Sequence, residues 1–221
     1  MSHKVHPLGF RLGISADWIS RWFDLKKYQQ KLCEDIAVRE YLTKKLRGAG
    51  VEKIEIERTG DKLSVLVYSS RPGIIIGRAG SGAEDLNKQL EKVLRKARSQ
   101  SKRAPIATQL RLEVREVRNP EAFASLVGLS IAEQIEKRMP FRRVMKRSME
   151  RTMANKQVKG ARIVLSGRLG GAEMARREVI KDGVMPRNTL RSDIDFSIQE
   201  AYTTYGVIGI KVWIYKGQKL E

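Results

Sequence analysis

The chain has 221 residues, with 44 lysines and arginines against 25 aspartates and glutamates, a formal net charge of +19. A hydrophobic share of 41% supports real cores and excludes wholesale disorder, and an aromatic share of 6% makes those cores mostly aliphatic. Charge of this sign and size opposes compaction unless a polyanion relieves it, so nucleic acid is the leading partner class and an anionic membrane surface the second.

Residues 1–23 read as an N-terminal arm. Gly9 and Gly13 interrupt it, and Trp18, Trp22 and Phe23 weight its end with rings, which suits a segment pinned against another surface. Its start, Met1 to Pro7, lacks the apolar core of a signal peptide and the amphipathic character of a transit peptide. No run of 18 apolar residues exists, so no transmembrane span is expected, and the expected setting is a reducing, soluble compartment. His3 and His6 stand three apart with no further ligand nearby, which favours a structural or RNA-facing pair over a metal site. The single cysteine, Cys33, excludes an internal disulfide and a cysteine zinc cluster. Its place in a helical pattern predicts a buried, inert thiol.

From Asp24 to Leu46 apolar residues recur at helical spacing: Leu25, Tyr28, Leu32 and Ile36, then Val38, Tyr41, Leu42 and Leu46. Gly48 and Gly50 stop the pattern. Alternation from Ile54 predicts a strand, Thr59-Gly60-Asp61 a turn, and Leu63 to Tyr68 a second strand paired with the first as a hairpin. Pro72 to Ile76 suits one short helix, with proline in its first turn. Beyond Gly82 a long helix carries Leu86, Leu90, Val93, Leu94 and Ala97, and Ile106 to Val117 alternates as a strand. Asn119-Pro120 marks a domain boundary. After it come helices over 121–138 and 141–155, split by Pro140, then strands over 161–168, 190–199 and 206–215. The second half is therefore α+β.

Three readings compete for the glycine-rich stretch 73–82. A Walker A loop needs a Gly-Lys-Ser/Thr ending that is absent here, and the spacing Gly77, Gly80, Gly82 is not that of a dinucleotide fingerprint. The third is Gly77-Arg78-Ala79-Gly80 between two helices, where glycines let a sugar–phosphate chain approach and Arg78 adds a charge. The following helix carries Lys88, Lys92, Arg95, Lys96 and Arg98, with Lys102 and Arg103 just beyond. Residues 88–103 thus hold seven basic residues and one acidic, Glu91. A solvated face is the bland reading of such a run, and its place beside the glycine loop favours RNA. After Pro140, residues Phe141, Val144, Met145, Ser148, Met149 and Thr152 share one helical face, while Arg142, Arg143, Lys146, Arg147 and Arg151 fall largely on the other. Glu150 is the one acid against seven bases in 137–151, so mutual repulsion costs stability unless phosphates screen it.

The order helix, strand, strand, short helix, glycine loop, helix, strand resembles a type II KH domain, because the extra helix and strand precede the core. The whole chain resembles the bacterial-type S-three family of small-ribosomal-subunit proteins. The resemblance is carried by Lys4-Val5-His6-Pro7 with Arg11-Leu12-Gly13, by Arg71 through Gly80, and by Phe141-Arg142-Arg143 with Met145-Lys146-Arg147. Ser166 through Glu173, Arg191 through Phe196 and Thr203 through Trp213 extend it. It implies an α+β fold: an arm (1–23), a type II KH domain with helices on a small mixed sheet (24–118), and a second α+β domain with two helices packed on an antiparallel sheet (119–221).

It further implies a structural constituent of the subunit head that binds 16S-type ribosomal RNA beside proteins S-ten and S-fourteen. Such a protein helps hold and unwind messenger RNA where it enters. The RNA contacts so implied are Gly77, Arg78, Ala79 and Gly80 in the KH loop and Lys88, Lys92, Arg95 and Lys96 on the KH helix. Arg142, Arg143, Lys146 and Arg147 are assigned to the message, and His6, Arg11 and Arg168 to ribosomal RNA and assembly. No catalytic residue, metal, cofactor, membrane or small-molecule substrate is expected, and the setting is the ribosome of the cytoplasm or of a plastid stroma. The alternatives are a free-standing KH regulator and a nucleic-acid nuclease or lyase. For the latter Asp193 and Asp195, two apart in a strand, would be the carboxylates, although ion pairs with Arg191 or Lys211 explain them more simply.

Overall fold

The computed structural model describes residues 5–60, 62–99 and 109–219. The chain folds as two compact units, Trp18–Arg118 and a second built from Met1–Asp17 with Asn119–Glu221. The stretch read as one arm is thus divided. Its first part, including α1 (Pro7–Phe10), packs with the C-terminal half, and its last part supplies a short strand to the N-terminal unit.

The N-terminal unit begins with that strand, β1 (Ser20–Arg21), followed by α2 (Tyr28–Lys45), β2 (Val51–Thr59) and β3 (Lys62–Ser69). Then come α3 (Pro72–Ile76), α4 (Ser81–Ser99) and β4 (Gln109–Glu116). The sheet order is β1-β2-β3-β4, with β1 parallel to β2, β2 antiparallel to β3, and β3 parallel to β4. A parallel pair of neighbours needs a long crossover, and α3 with α4 supplies it. Leu86, Leu90 and Leu94 recur every four residues and are buried against Val38, Leu42, Ile56, Val65 and Val67. Burying each such side chain contributes about 1.5–3 kcal/mol.

Helix α2 departs from the reading of one continuous apolar face. Val38, Leu42 and Leu46 are buried, but Leu25, Tyr28, Leu32 and Ile36 are exposed. A step of two residues turns a helix by about 200°, so the stripe ending at Ile36 and the stripe starting at Val38 lie on opposite sides. What the first half of α2 turns inward is acidic. Glu34 and Asp35 are each 1% exposed and meet Arg58 of β2 at 2.9 and 2.5 Å. Arg98 of α4 reaches Glu34 at 3.0 Å, and Ser20 and Trp22 donate to Asp35. Cys33, expected to be buried, is exposed, because it sits on the outward side of this reversed helix.

In the C-terminal unit α5 (Ala124–Glu136) and α6 (Phe141–Ala154) precede β5 (Gly160–Gly167), β6 (Arg176–Gly183), β7 (Ser192–Thr203) and β8 (Gly206–Gln218). The order β6-β5-β8-β7 is antiparallel throughout. Both helices pack on one face over Ile131, Val144, Met145, Ile163, Leu165, Ile210 and Val212. Gly128 lets α5 lie close to β7, since a Cβ there would come within 2.8 Å of Gln199 Cγ. β6 was not expected from the sequence. It is an edge strand whose apolar content is Val179 and Ile180 among charges, a composition that discourages pairing with other chains.

Candidate nucleic-acid interface

The glycine loop joins α3 to α4. Gly77 has φ +71° and ψ −171°, a region essentially closed to other residues, and Gly80 has φ +85°. Gly82 serves packing instead: a Cβ there would stand 2.7 Å from the carbonyl oxygen of Ile75. The tip, Arg78 to Gly80, is one tight turn, closed by Ser81 Oγ donating to the Arg78 carbonyl at 2.9 Å. Arg78 is exposed. Lys88, Lys92, Arg95 and Lys96 are exposed on α4, on the side away from Leu86, Leu90 and Leu94. They give α4 an exposed basic side. Arg98, in the same basic run, is held in the fold by Glu34. Lys102 and Arg103 lie outside the described residues.

On α6 the apolar face is buried through Val144, Met145, Ser148, Met149 and Thr152, which locks the helix on the sheet. Arg142, Arg143, Lys146, Arg147 and Arg151 are exposed on the other side. Among the described residues Arg142 alone of these has a carboxylate within 4 Å, Glu178 at 3.8 Å, and its own side chain stays 77% exposed. Arg176 of β6 shares that glutamate and also lies 5.3 Å from the Phe141 ring, beside which Arg142 lies at 5.7 Å. Arg176 therefore joins the α6 cations in space. It escaped the sequence reading because its strand did.

The three residues read as ribosomal RNA and assembly contacts are engaged within the fold. Arg11 is 2% exposed and donates to the carbonyls of Pro7, Arg187 and Thr189 at 2.9, 2.9 and 3.0 Å. Burial pushes its guanidinium below the ordinary arginine range, and Asp193 opposes that shift. Its role is to fasten the N-terminal segment to the loop before β7. Three carbonyls thus take its two terminal nitrogens, while its Nε is buried without a partner. Arg168 donates to the Ala172 carbonyl at 2.9 Å and lies 5.7 Å from the Tyr205 ring, which closes the glycine turn of residues 169–171. His6 accepts the Gly9 N–H at its Nδ1, 3.5 Å away, and packs edge-on against Phe196. His3 lies outside the described residues.

Asp193 and Asp195 are explained by other partners than those expected. Asp195 accepts the Ala124 N–H at 2.8 Å and so caps the start of α5, while Asp193 lies 3.8 Å from Lys219. Among the described residues no three histidine, cysteine or acidic side chains converge as a metal would require. No helix among them is long and apolar enough to cross a membrane.

Two family models match the chain: a KH domain over residues 37–122, and the ribosomal protein S3 C-terminal domain over residues 131–214. Three curated relatives align over all of this chain, each named small ribosomal subunit protein uS3. That of Caldicellulosiruptor saccharolyticus is 47% identical over 94% of its own length. Those of Desulfitobacterium hafniense and Lawsonia intracellularis are each 48% identical, over 94% and 98% of their lengths. The chain belongs to the uS3 family. The α+β architecture with an N-terminal KH domain agrees with both matches, and the glycine loop and α4 strip lie inside the KH match.

Proposed function

We propose that this protein is a structural constituent of the small ribosomal subunit, seated in the head on 16S-type ribosomal RNA, with α6 lining the channel where messenger RNA enters. The observation that carries the reading is the contrast between the two sides of α6. One side is fully packed, and the other presents Arg143, Lys146 and Arg147 with no carboxylate within 4 Å among the described residues. Fixed cations of this kind hold a sliding backbone without reading its sequence. They also oppose its re-pairing, which is how such a helix assists in opening message structure. The KH loop and the α4 strip offer a second phosphate-facing surface for ribosomal RNA. The outward apolar stripe Leu25, Tyr28, Leu32 and Ile36 supports a protein neighbour, and the family resemblance names S-ten and S-fourteen for such places. The setting is the cytoplasm or a plastid stroma.

The test is the triple variant Arg142→Ala, Arg143→Ala, Lys146→Ala in reconstituted small subunits. Thermal stability of the protein and its incorporation should be nearly unchanged. Translation through a stable hairpin should slow more than translation of unstructured message, and equal slowing on both templates would sink the assignment.

A further inference from the structure

The sheet of the C-terminal unit has a second face, turned away from α5 and α6, whose chemistry the α6 reading does not use. Strand register fixes what stands on it. Across one row run Lys181, Arg162, Trp213 and Phe196. In the next row Val164, fully buried, and Ile198 flank Lys211, and in the third Arg177, Ser166, Gly209 and Glu200 follow. Across these three rows four cations from three strands stand with one acid, Glu200, which sits on the far edge and accepts the Tyr202 hydroxyl. Among the described residues none of Arg162, Arg177, Lys181 and Lys211 has a carboxylate within 4 Å.

Arg162 is the telling member. It is half-buried, lies 5.4 Å from the Trp213 ring, and its Nε is buried with no hydrogen-bond partner. Buried polar atoms in folded proteins are normally satisfied. Arg187, in the loop that Arg11 holds by its carbonyl, and Arg177 add like charge to it rather than relief. Between Arg177 and Glu200 the row is Ser166 and Gly209, so small side chains leave room for a chain lying across the sheet.

We infer that the exposed part of this sheet face is a further RNA-backbone site, in which Arg177, Lys181 and Lys211, with the half-buried Arg162 beside them, hold phosphates of a ribosomal RNA strand. Four cations spread over three adjacent rows match a sugar–phosphate track, which demands repeated charge and little shape. The inference depends on the proposed ribosomal role only for the source of the RNA.

The test uses the full-length protein and a fluorescently labelled, structured ribosomal RNA fragment from the subunit head, titrated over a range of salt. The variant Arg177→Gln, Lys181→Gln, Lys211→Gln alters exposed side chains and leaves Arg162 on Trp213. It should flatten the slope of log affinity against log salt by about two to three, at about 0.9 for each phosphate no longer neutralised. A parallel variant, Arg143→Ala, Lys146→Ala, Arg147→Ala, tests α6 separately. If the α6 variant weakens binding and the sheet variant does not, the sheet inference alone fails, and if neither does, the RNA reading of the whole protein fails. Impaired subunit incorporation by the sheet variant at unchanged RNA affinity would assign the face to a protein neighbour and overturn the inference. Should the sheet variant not fold, acetylation of the unaltered protein decides: bound RNA should protect Lys181 and Lys211, and equal modification with and without RNA overturns the proposal.

Discussion

The two units of this protein treat arginine in opposite ways. In the N-terminal unit Arg58 and Arg98 close on Glu34 and Asp35, two acids that are each 1% exposed. On α6 of the C-terminal unit Arg143, Lys146 and Arg147 point outward with no acid in reach among the described residues. Arg98 lies in a basic run much like that of α6, so the local count of charges does not separate the two. What separates them is whether the helix that carries or faces them turns a carboxylate inward. A cation paired inside is part of the fold. A cation held outward by a packed helix is available to a partner.

Removing one member of each set should therefore give very different results. Arg58→Ala leaves Glu34 and Asp35 buried without their main partner, and losing one side of a buried ion pair costs about 3–5 kcal/mol. Arg143→Ala touches nothing buried and should stay within about 0.5 kcal/mol of the parent. Urea unfolding of both variants measures the difference. Equal destabilisation would show that the α6 cations are also fold residues.

Arg11 belongs to a third kind, buried but paired with carbonyls. Its replacement by Ala removes three charge-assisted hydrogen bonds, each of a kind worth about 1.5–3 kcal/mol, and leaves carbonyls rather than a buried carboxylate behind. Exchange of the Phe10 and Gly13 amide protons should accelerate first, since these lie in the segment that Arg11 fastens. If RNA affinity in a protein that stays folded falls as far as it does for the α6 variants, Arg11 touches RNA after all.

These cases mark how far the residues could be read in order. Helices α3, α4, α5 and α6 were legible because proline placement and apolar spacing agreed. The two sides of α6 followed from its spacing alone, since no acid competed for its face. Helix α2 was legible as a helix, but not in its orientation. Its apolar stripe outweighs two acids in any local count, and only the distant Arg58 and Arg98 reverse that balance. Strand β6 was missed because an edge strand needs charge more than alternation. The burial of Arg11 was not legible, because sequence cannot show carbonyls arriving from residues 187 and 189.

The smallest expected effect contrasts two aspartates that both accept backbone N–H groups, Asp24 in the turn before α2 and Asp195 at the start of α5. Asp24 accepts from Lys26 and Lys27 at 2.9 and 3.0 Å and meets Lys31 at 2.8 Å, and the Lys31 interaction foremost lowers its pKa to about 2. Asp195 accepts from Ala124, yet burial raises its pKa above the ordinary value of 3.8. The signs of their pH dependence are then opposite. Asp24 binds its proton less readily folded than unfolded. Its stabilisation is complete above its ordinary value of 3.8 and is lost as pH falls toward about 2. Asp195 binds its proton more readily folded, so its contribution is greatest below 3.8 and declines as pH rises through its raised value. Asp24→Asn should be less stable than the parent at pH 5, with the gap closing by pH 2. Asp195→Asn should lose least, relative to the parent, at the higher pH, where the buried carboxylate is charged. Carboxyl NMR titrations of the intact protein should place the two aspartates on opposite sides of 3.8. Coincident titrations would show that the Lys31 ion pair does not persist in solution and that Asp195 is reached by water.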